Sequence, residues 1–258
     1  MDAGDIHDDF TGPVLDPRRW VAHYLPQWTV PQRSAARYDL VPDGSAPGGL
    51  RLRIDADQPA WREADGPMRV SNIQTGLFSG PPGSDRGTHR HRTDGLHVVT
   101  EQPLRRLWTP TAGHVAVRAS AAADPACMLG IWLVGLEASD PADSGELCLA
   151  EVFGDRVGPA HSIVRVGVKA HHDPRLVDEI LDVELPIDAT GPHTYALRWS
   201  ASGAEFSVDG QPVLATGQHL GYELQLMIDL FEFPGTDRRS SDDYPKTAII
   251  HSVTGGPS

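Results

Sequence analysis

Apolar and polar residues alternate with a period of two along much of this chain. Leu50, Leu52, Ile54 and Ala56 alternate with Arg51, Arg53, Asp55 and Asp57. Val115, Val117 and Ala119 do the same within 114–121, as do Val164, Val166, Val168 and Ala170 against Arg165, Gly167, Lys169 and His171. Successive side chains of a strand point to opposite faces, so each segment predicts a half-buried β-strand. Further strands are predicted over 68–79 and 96–102. Tyr195, Leu197 and Trp199, a Ser-Ala-Ser-Gly turn, and Phe206 with Val208 predict a hairpin. Asp209-Gly210 turns the chain into 212–215. Leu224 to Leu230 and Tyr244 to Val253 complete the series. The first forty residues read as irregular, with Pro13, Pro17, Pro26 and Pro31 breaking any helix. Residues 81–95, rich in Gly, Asp and Arg, read as an exposed loop.

One stretch departs from simple alternation. Two apolar runs between Leu129 and Gly154 flank a polar loop, 138–144, and predict a longer-looped antiparallel hairpin. Its second strand carries Glu146, Cys148 and Glu151. Glu146 and Cys148 share one face, while Leu147 and Leu149 fill the other. Strict alternation would send Glu151 in among the leucines. A β-bulge near Leu149–Ala150 would return it to the face of Glu146, a device common beside active sites. On the partner strand, Trp132 has the parity that faces Cys148, and Ile131 and Leu133 have the core parity. Two carboxyl groups roughly 5–5.5 Å apart serve a retaining glycosidase as nucleophile and acid/base. From spacing alone, two exposed glutamates on an edge strand is the plainer reading.

The residues themselves resemble a known family. Gly145-Glu146-Leu147-Cys148-Leu149-Ala150-Glu151 is similar to the catalytic strand of glycoside hydrolase family 16 in its bulged form, E-x-D-x-x-E, with Cys148 where the family has Asp. The strand 128–135 resembles the family's tryptophan-bearing strand. Asp9-Phe10 with 15–20, Gln74-Thr75-Gly76, 109–118 and 193–210 agree in order. The resemblance implies a concanavalin A-like jelly roll, an all-β sandwich of two curved antiparallel sheets with a cleft on the concave face. It implies Glu146 as nucleophile and Glu151 as acid/base of a laminarinase-like retaining endo-β-glycosidase, with a β-glucan, β-1,3-linked by preference, or another oligosaccharide as partner. Glu146 must be ionised to attack, and its negative charge should help Glu151 keep a proton for the leaving oxygen. Cys148, a thiol in place of an acid, is expected to weaken or shift catalysis. His171, at the polar end of its strand, is expected to contact substrate, although His172 beside it leaves that alignment open by one residue. Many relatives carry a structural Ca²⁺, for which Asp8, Asp9 and Asp209 are the candidate ligands; no other cofactor is implied.

Composition narrows the setting. The 258 residues are 40% hydrophobic, enough for one large all-β domain, 1–258. A net charge of −13 without a basic stripe argues against nucleic acid, and no apolar run is long enough to cross a membrane. The acidic start lacks a signal-peptide core, so the expected location is cytoplasmic, or secreted if a leader has been removed. Cys127 and Cys148 are the only cysteines, and the hairpin register separates them, against a disulfide. Trp132, Trp108 and Trp28 are expected at the substrate, the last two because they fall in loops. His89 and His91 could chelate a metal, yet no third ligand stands at zinc spacing, so an exposed polar loop and no metal are expected. Two other classes stay open: a non-hydrolytic glycan-binding relative, motivated by Cys148, and an intracellular enzyme using the cleft on a small metabolite.

Overall fold

In the computed structural model, which describes residues 4–42, 48–92, 94–233 and 240–257, sixteen strands form two large antiparallel sheets and a short ribbon. In chain order they are β1 (Ile6–Asp8), β2 (Arg37–Val41), β3 (Gly49–Ile54), β4 (Arg69–Gln74), β5 (Gly76–Leu77), β6 (Arg105–Arg106), β7 (Gly113–Ser120) and β8 (Cys127–Gly135). There follow β9 (Glu146–Phe153), β10 (Ser162–Lys169), β11 (Glu179–Leu185), β12 (His193–Ser200), β13 (Gly203–Val208), β14 (Gln211–Thr216), β15 (Leu224–Glu232) and β16 (Lys246–Gly256). One sheet runs β14-β13-β12-β7-β16-β3-β2, with β1 added beside β16; the other runs β11-β10-β9-β8-β15-β4. Only a one-turn helix, Pro31–Ser34, and short 3-10 turns interrupt the strands, and no helix among the described residues is long and apolar enough to cross a membrane.

The alternating segments behave as their pattern requires. Leu50, Leu52 and Ile54 of β3, Val115, Val117 and Ala119 of β7, and Val164, Val166 and Val168 of β10 pack into one layer between the sheets. The Asp209-Gly210 turn has positive φ at both residues, 49° and 76°, as a tight type I′ hairpin demands. Strands β8, β9 and β15 are buried on both faces. One face meets the other sheet; the second is roofed by loops that set Tyr24, Leu25, Trp28, Trp61, Leu96 and Val98 against Met128, Trp132, Cys148, Met227 and Phe231. The hairpin therefore reads as continuous apolar runs, the signature of a strand covered on both sides.

Three expectations need correction. Ala56 lies beyond β3 in an exposed turn. Residues 96–102 form no strand: Val98 bonds to the carbonyl of Ser84 and Val99 to that of Gln27, two different loops, so no ladder can propagate. The segment 81–95, of which residue 93 lies outside the described residues, is irregular as expected but not simply exposed. Gly87, Thr88 and His89 are buried beneath the roof, where Thr88 O accepts from the Gln27 side chain (2.7 Å) and the Trp28 indole (3.1 Å).

Candidate active site

The bulge is where the hairpin register shifts. Ile131 pairs with Ala150 and Trp132 with Cys148, so β9 holds one residue more than β8 across that step. On the other side Arg165 pairs with Glu151 and Gly167 with Cys148, leaving Val166 opposite the same extra residue. The insertion turns Glu151 onto the face of Glu146 and Cys148, while Leu147, Leu149, Ala150 and Val152 stay in the inter-sheet core. One carboxylate oxygen of each glutamate and the Cys148 sulfur lie within 4.8 Å of one another.

The start of β9 is held firmly. Gly145 N–H donates to the Tyr222 hydroxyl (2.9 Å), which donates to Asp173 (2.8 Å), itself paired with Arg175 (2.7 Å). A Cβ on Gly145 would lie 2.3 Å from Leu176 and 2.5 Å from the Tyr222 oxygen, so only glycine fits there. Glu146 is 1% exposed and Glu151 6%.

Between the carboxylates sits a residue whose chemistry the sequence did not single out. Lys169, at the end of β10, places Nζ 2.9 Å from Glu146 Oε1 and 2.5 Å from Glu151 Oε1, and 5.2 Å from the centre of the Trp132 ring. His171 Nε2 lies 2.8 Å from Glu146 Oε2. Burial would raise the Glu146 pKa, but the Lys169 charge and the His171 hydrogen bond outweigh it and bring it down to about 2. Burial alone would lower the Lys169 pKa; the two carboxylates hold it well above the ordinary lysine value. Arg165 stands 3.8 Å from Glu151 while bonded to Asp182. The only sequence signal for Lys169 was parity: in β10 it shares the face of Arg165 and Gly167, whose partners across the ladder are Glu151 and Cys148.

Each expected site residue has a definite place. Glu146, Glu151, Cys148, Trp132 and His171 come together on the concave face. His172 instead bonds to the Arg90 carbonyl (2.8 Å). Trp132 is buried with the cleft cluster, and its indole N–H has no hydrogen-bond partner among the described residues. The Cys148 thiol donates to the Arg165 carbonyl (3.6 Å), and burial pushes its pKa well above the usual thiol value. The close charged and hydrogen-bonding neighbours of Glu146 are therefore Lys169 and His171. Trp28 is fully buried and anchors the roof through Thr88, so it does not face a substrate. Trp108 belongs to the inter-sheet core, its N–H given to the Gly4 carbonyl (2.9 Å). Both are loop anchors. Asp8 accepts from the Trp20 indole (2.8 Å), Asp9 from Thr11 (2.7 Å), and Asp209 bonds His193 (2.6 Å). Asp8 and Asp209 are separated by β16, β7 and β12, about four inter-strand spacings, ~19 Å, so the three acids cannot ligate one ion. No disulfide joins Cys127 and Cys148, which pack in different layers.

The pattern in sequence did not expose several other groups at the site. From Trp132 an aromatic series continues through Phe231 (centroids 5.6 Å apart) to Phe233 (5.7 Å) and Phe153 (6.4 Å), the last two half-buried at the sheet's edge. Asp229, paired across β8 with Gly130 and so in line with Glu151, accepts from the Asn72 amide (2.8 Å). Burial pushes its carboxyl well above the usual carboxylate range. In the roof, Glu137 accepts from the backbone N–H groups of His89 (2.6 Å) and Arg90 (3.4 Å). Burial raises its pKa to about 8 despite those bonds.

This arrangement defines a class: a concanavalin A-like jelly roll whose concave sheet carries a bulged strand and a converging pair of carboxylates. No family model and no curated protein matches the chain in sequence. Solved structures do match in fold. An endo-β-galactosidase from Clostridium perfringens that releases GlcNAcα1-4Gal superposes with a TM-score of 0.80 at 22% identity, over 98% of this chain and 62% of that one. The chain thus spans less than two thirds of that protein. A laminarinase from Rhodothermus marinus matches at 0.63 and 15% identity, covering 100% and 98% of the two chains. A non-specific endo-β-1,3(4)-glucanase of glycoside hydrolase family 16 matches at 0.64 and 15%, covering both chains fully.

Proposed function

We propose that the chain is a retaining endo-β-glycosidase, with Glu146 as nucleophile and Glu151 as acid/base. The observation that carries this reading is the bulge, which brings two otherwise opposed glutamates to one face with their oxygens within 4.8 Å. That separation suits direct attack and leaves no room for an interposed water, as inversion would require. Glu146 Oε attacks the anomeric carbon as the glycosidic C–O bond breaks and Glu151 gives its proton to the departing oxygen. Water then adds to the glycosyl-enzyme, losing its proton to Glu151 and releasing Glu146. Lys169 must leave Glu151 for this cycle to begin. Its contacts with Glu146 and the Trp132 ring offer a second seat a short movement away. Trp132 supplies a spare N–H beside the carboxylates, and the half-buried Phe153 and Phe233, linked to it through the buried Phe231, offer stacking surface for neighbouring sugars, in keeping with endo action.

For the substrate we propose a β-1,3-linked glucan, supported by the likeness to laminarinases. The TM-score of 0.80 to the endo-β-galactosidase favours a second reading, a β-galactosyl linkage within a larger glycan. Reducing-end release from laminarin, mixed-linkage β-glucan and a glycan ending in GlcNAcα1-4Gal separates the two, with Glu146→Gln as control. Retention of configuration, read by NMR of the first-formed anomer, is expected. Release that survives in Glu146→Gln would remove Glu146 from its role.

A further inference from the structure

We propose that His89, His171 and Glu146 form a binding site for Zn²⁺ or a similar borderline-soft divalent cation, seated on the outer oxygen of the nucleophile. The three residues come from separate elements: the roof loop 84–92, the turn after β10, and the first position of β9. One nitrogen of each imidazole and one oxygen of Glu146 lie within 4.8 Å of one another. His171 Nε2 and Glu146 Oε2 already stand 2.8 Å apart. Tetrahedral zinc with bonds of about 2.0–2.2 Å sets its ligands about 3.4 Å apart, so that pair need open by only a few tenths of an ångström.

His89 supplies the independent sign. It is only 9% exposed, and its ring nitrogens make no hydrogen bond to any described residue. Its backbone, by contrast, is fixed: φ is +52°, outside the range side-chain-bearing residues prefer, and its N–H is bound to Glu137 at 2.6 Å. The loop is thus pinned so as to hold an unpartnered imidazole edge-on to His171, ring centroids 5.0 Å apart. His91, the neighbour in the same H-R-H-R run, faces Asp65, its Nε2 3.4 Å from the carboxylate, and neither of its ring nitrogens makes a hydrogen bond to a described residue.

The surroundings suit a cation. Glu146 offers Oε2 on the histidine side, while Oε1 is held at 2.9 Å by Lys169, the outer support that ligating carboxylates commonly have. Two imidazoles and one carboxylate with an open fourth position are a donor set for zinc; Ca²⁺ and Mg²⁺ favour all-oxygen cages. An ion on Oε2 occupies the lone pairs that would attack a sugar, so metal and glycosyl transfer exclude one another. Binding itself requires no turnover and stands apart from the glycosidase reading.

The test is titration of the metal-stripped full chain with Zn²⁺ by calorimetry and with Co²⁺ by visible absorption, without any sugar. One ion per chain and the intense bands of four-coordinate Co²⁺ are expected. His89→Gln and His171→Gln should each weaken binding by more than about 100-fold, beyond the ~10–100-fold loss that follows from removing a mere supporting partner. His91→Gln should leave affinity unchanged. A rise in Tm with Zn²⁺ but not with Ca²⁺ gives a readout on the unmodified chain, should either ligand variant fold poorly. Absence of that rise, or equal affinity in parent, His89→Gln and His171→Gln, overturns the site. Zinc binding without detectable hydrolysis of any glycan would instead overturn only the glycosidase reading.

Discussion

Replacing Lys169 with Met keeps the length of the side chain and removes its charge from between the two glutamates. Lys169 Nζ lies 2.9 Å and 2.5 Å from their nearest oxygens, and about a quarter of its side chain reaches solvent. Unit charges 4 Å apart interact by about 4 kcal/mol at an effective dielectric near 20. Partial solvation reduces this, and one close opposite charge typically moves a carboxyl by about 1–3 pH units, or about 1.4–4 kcal/mol. Glu146, now held at about 2, should therefore titrate correspondingly higher in the variant and still be ionised at neutral pH. The expected result is an acid limb of kcat/KM displaced upward by about 1–3 pH units, with less activity than the parent in acid. Lys169→Arg should restore most of the parental position. Initial rates of reducing-end release across pH supply the profile, and carboxyl carbon NMR titration checks the displacement without turnover. An acid limb that stays in place, or moves to lower pH, would refute the electrostatic account of Lys169.

Other outcomes follow from the same coordinates. Glu137 has a folded-state pKa of about 8 against an ordinary 4.5, so its contribution is complete below about 4.5 and is lost as pH rises toward 8, at up to about 1.4 kcal/mol per unit. Glu137→Gln, which keeps an acceptor for the His89 N–H, should raise Tm by up to about 10 °C at pH about 8 and leave it nearly unchanged near pH about 4.5. Cys148→Ser should preserve activity, because the thiol bonds only the Arg165 carbonyl. Cys148→Asp adds a third acid beside the single ammonium of Lys169, and both limbs of its pH profile should move upward; identical profiles would deny residue 148 any tuning role. Gly130→Ala would push a Cβ to 2.7 Å from the Trp132 ring, so KM should rise with little change in the pH profile.

How much of this could be read from sequence depends on which face a residue serves. Strands with one wet face, such as β3, β7 and β12, were legible because their period of two survives. The bulge was legible as well, since Glu151 among leucines would otherwise be an uncompensated buried charge. What failed was the roof. Residues 81–95 have a solvated composition, yet the buried Gln27 and Trp28 hold Thr88, and Glu137 holds His89, from distant parts of the chain. Trp28 and Trp108 fell in loops, and nothing local says whether a loop tryptophan faces sugar or fills a core. Lys169 was hidden differently. It fits its strand as an ordinary outward-facing lysine, and only the register with β9 reveals two carboxylates beneath it.

The extra residue in β9 shifts the phase of everything that follows it. Val152 is sent inward and Phe153 outward along with Glu151, so one insertion sets both the proposed acid/base and the far end of the aromatic series. Excising a single position at Leu149 or Ala150 would exchange these faces together. A lineage could not keep the sugar-stacking edge while losing the acid by that route. Chemistry and grip are inherited here as one unit.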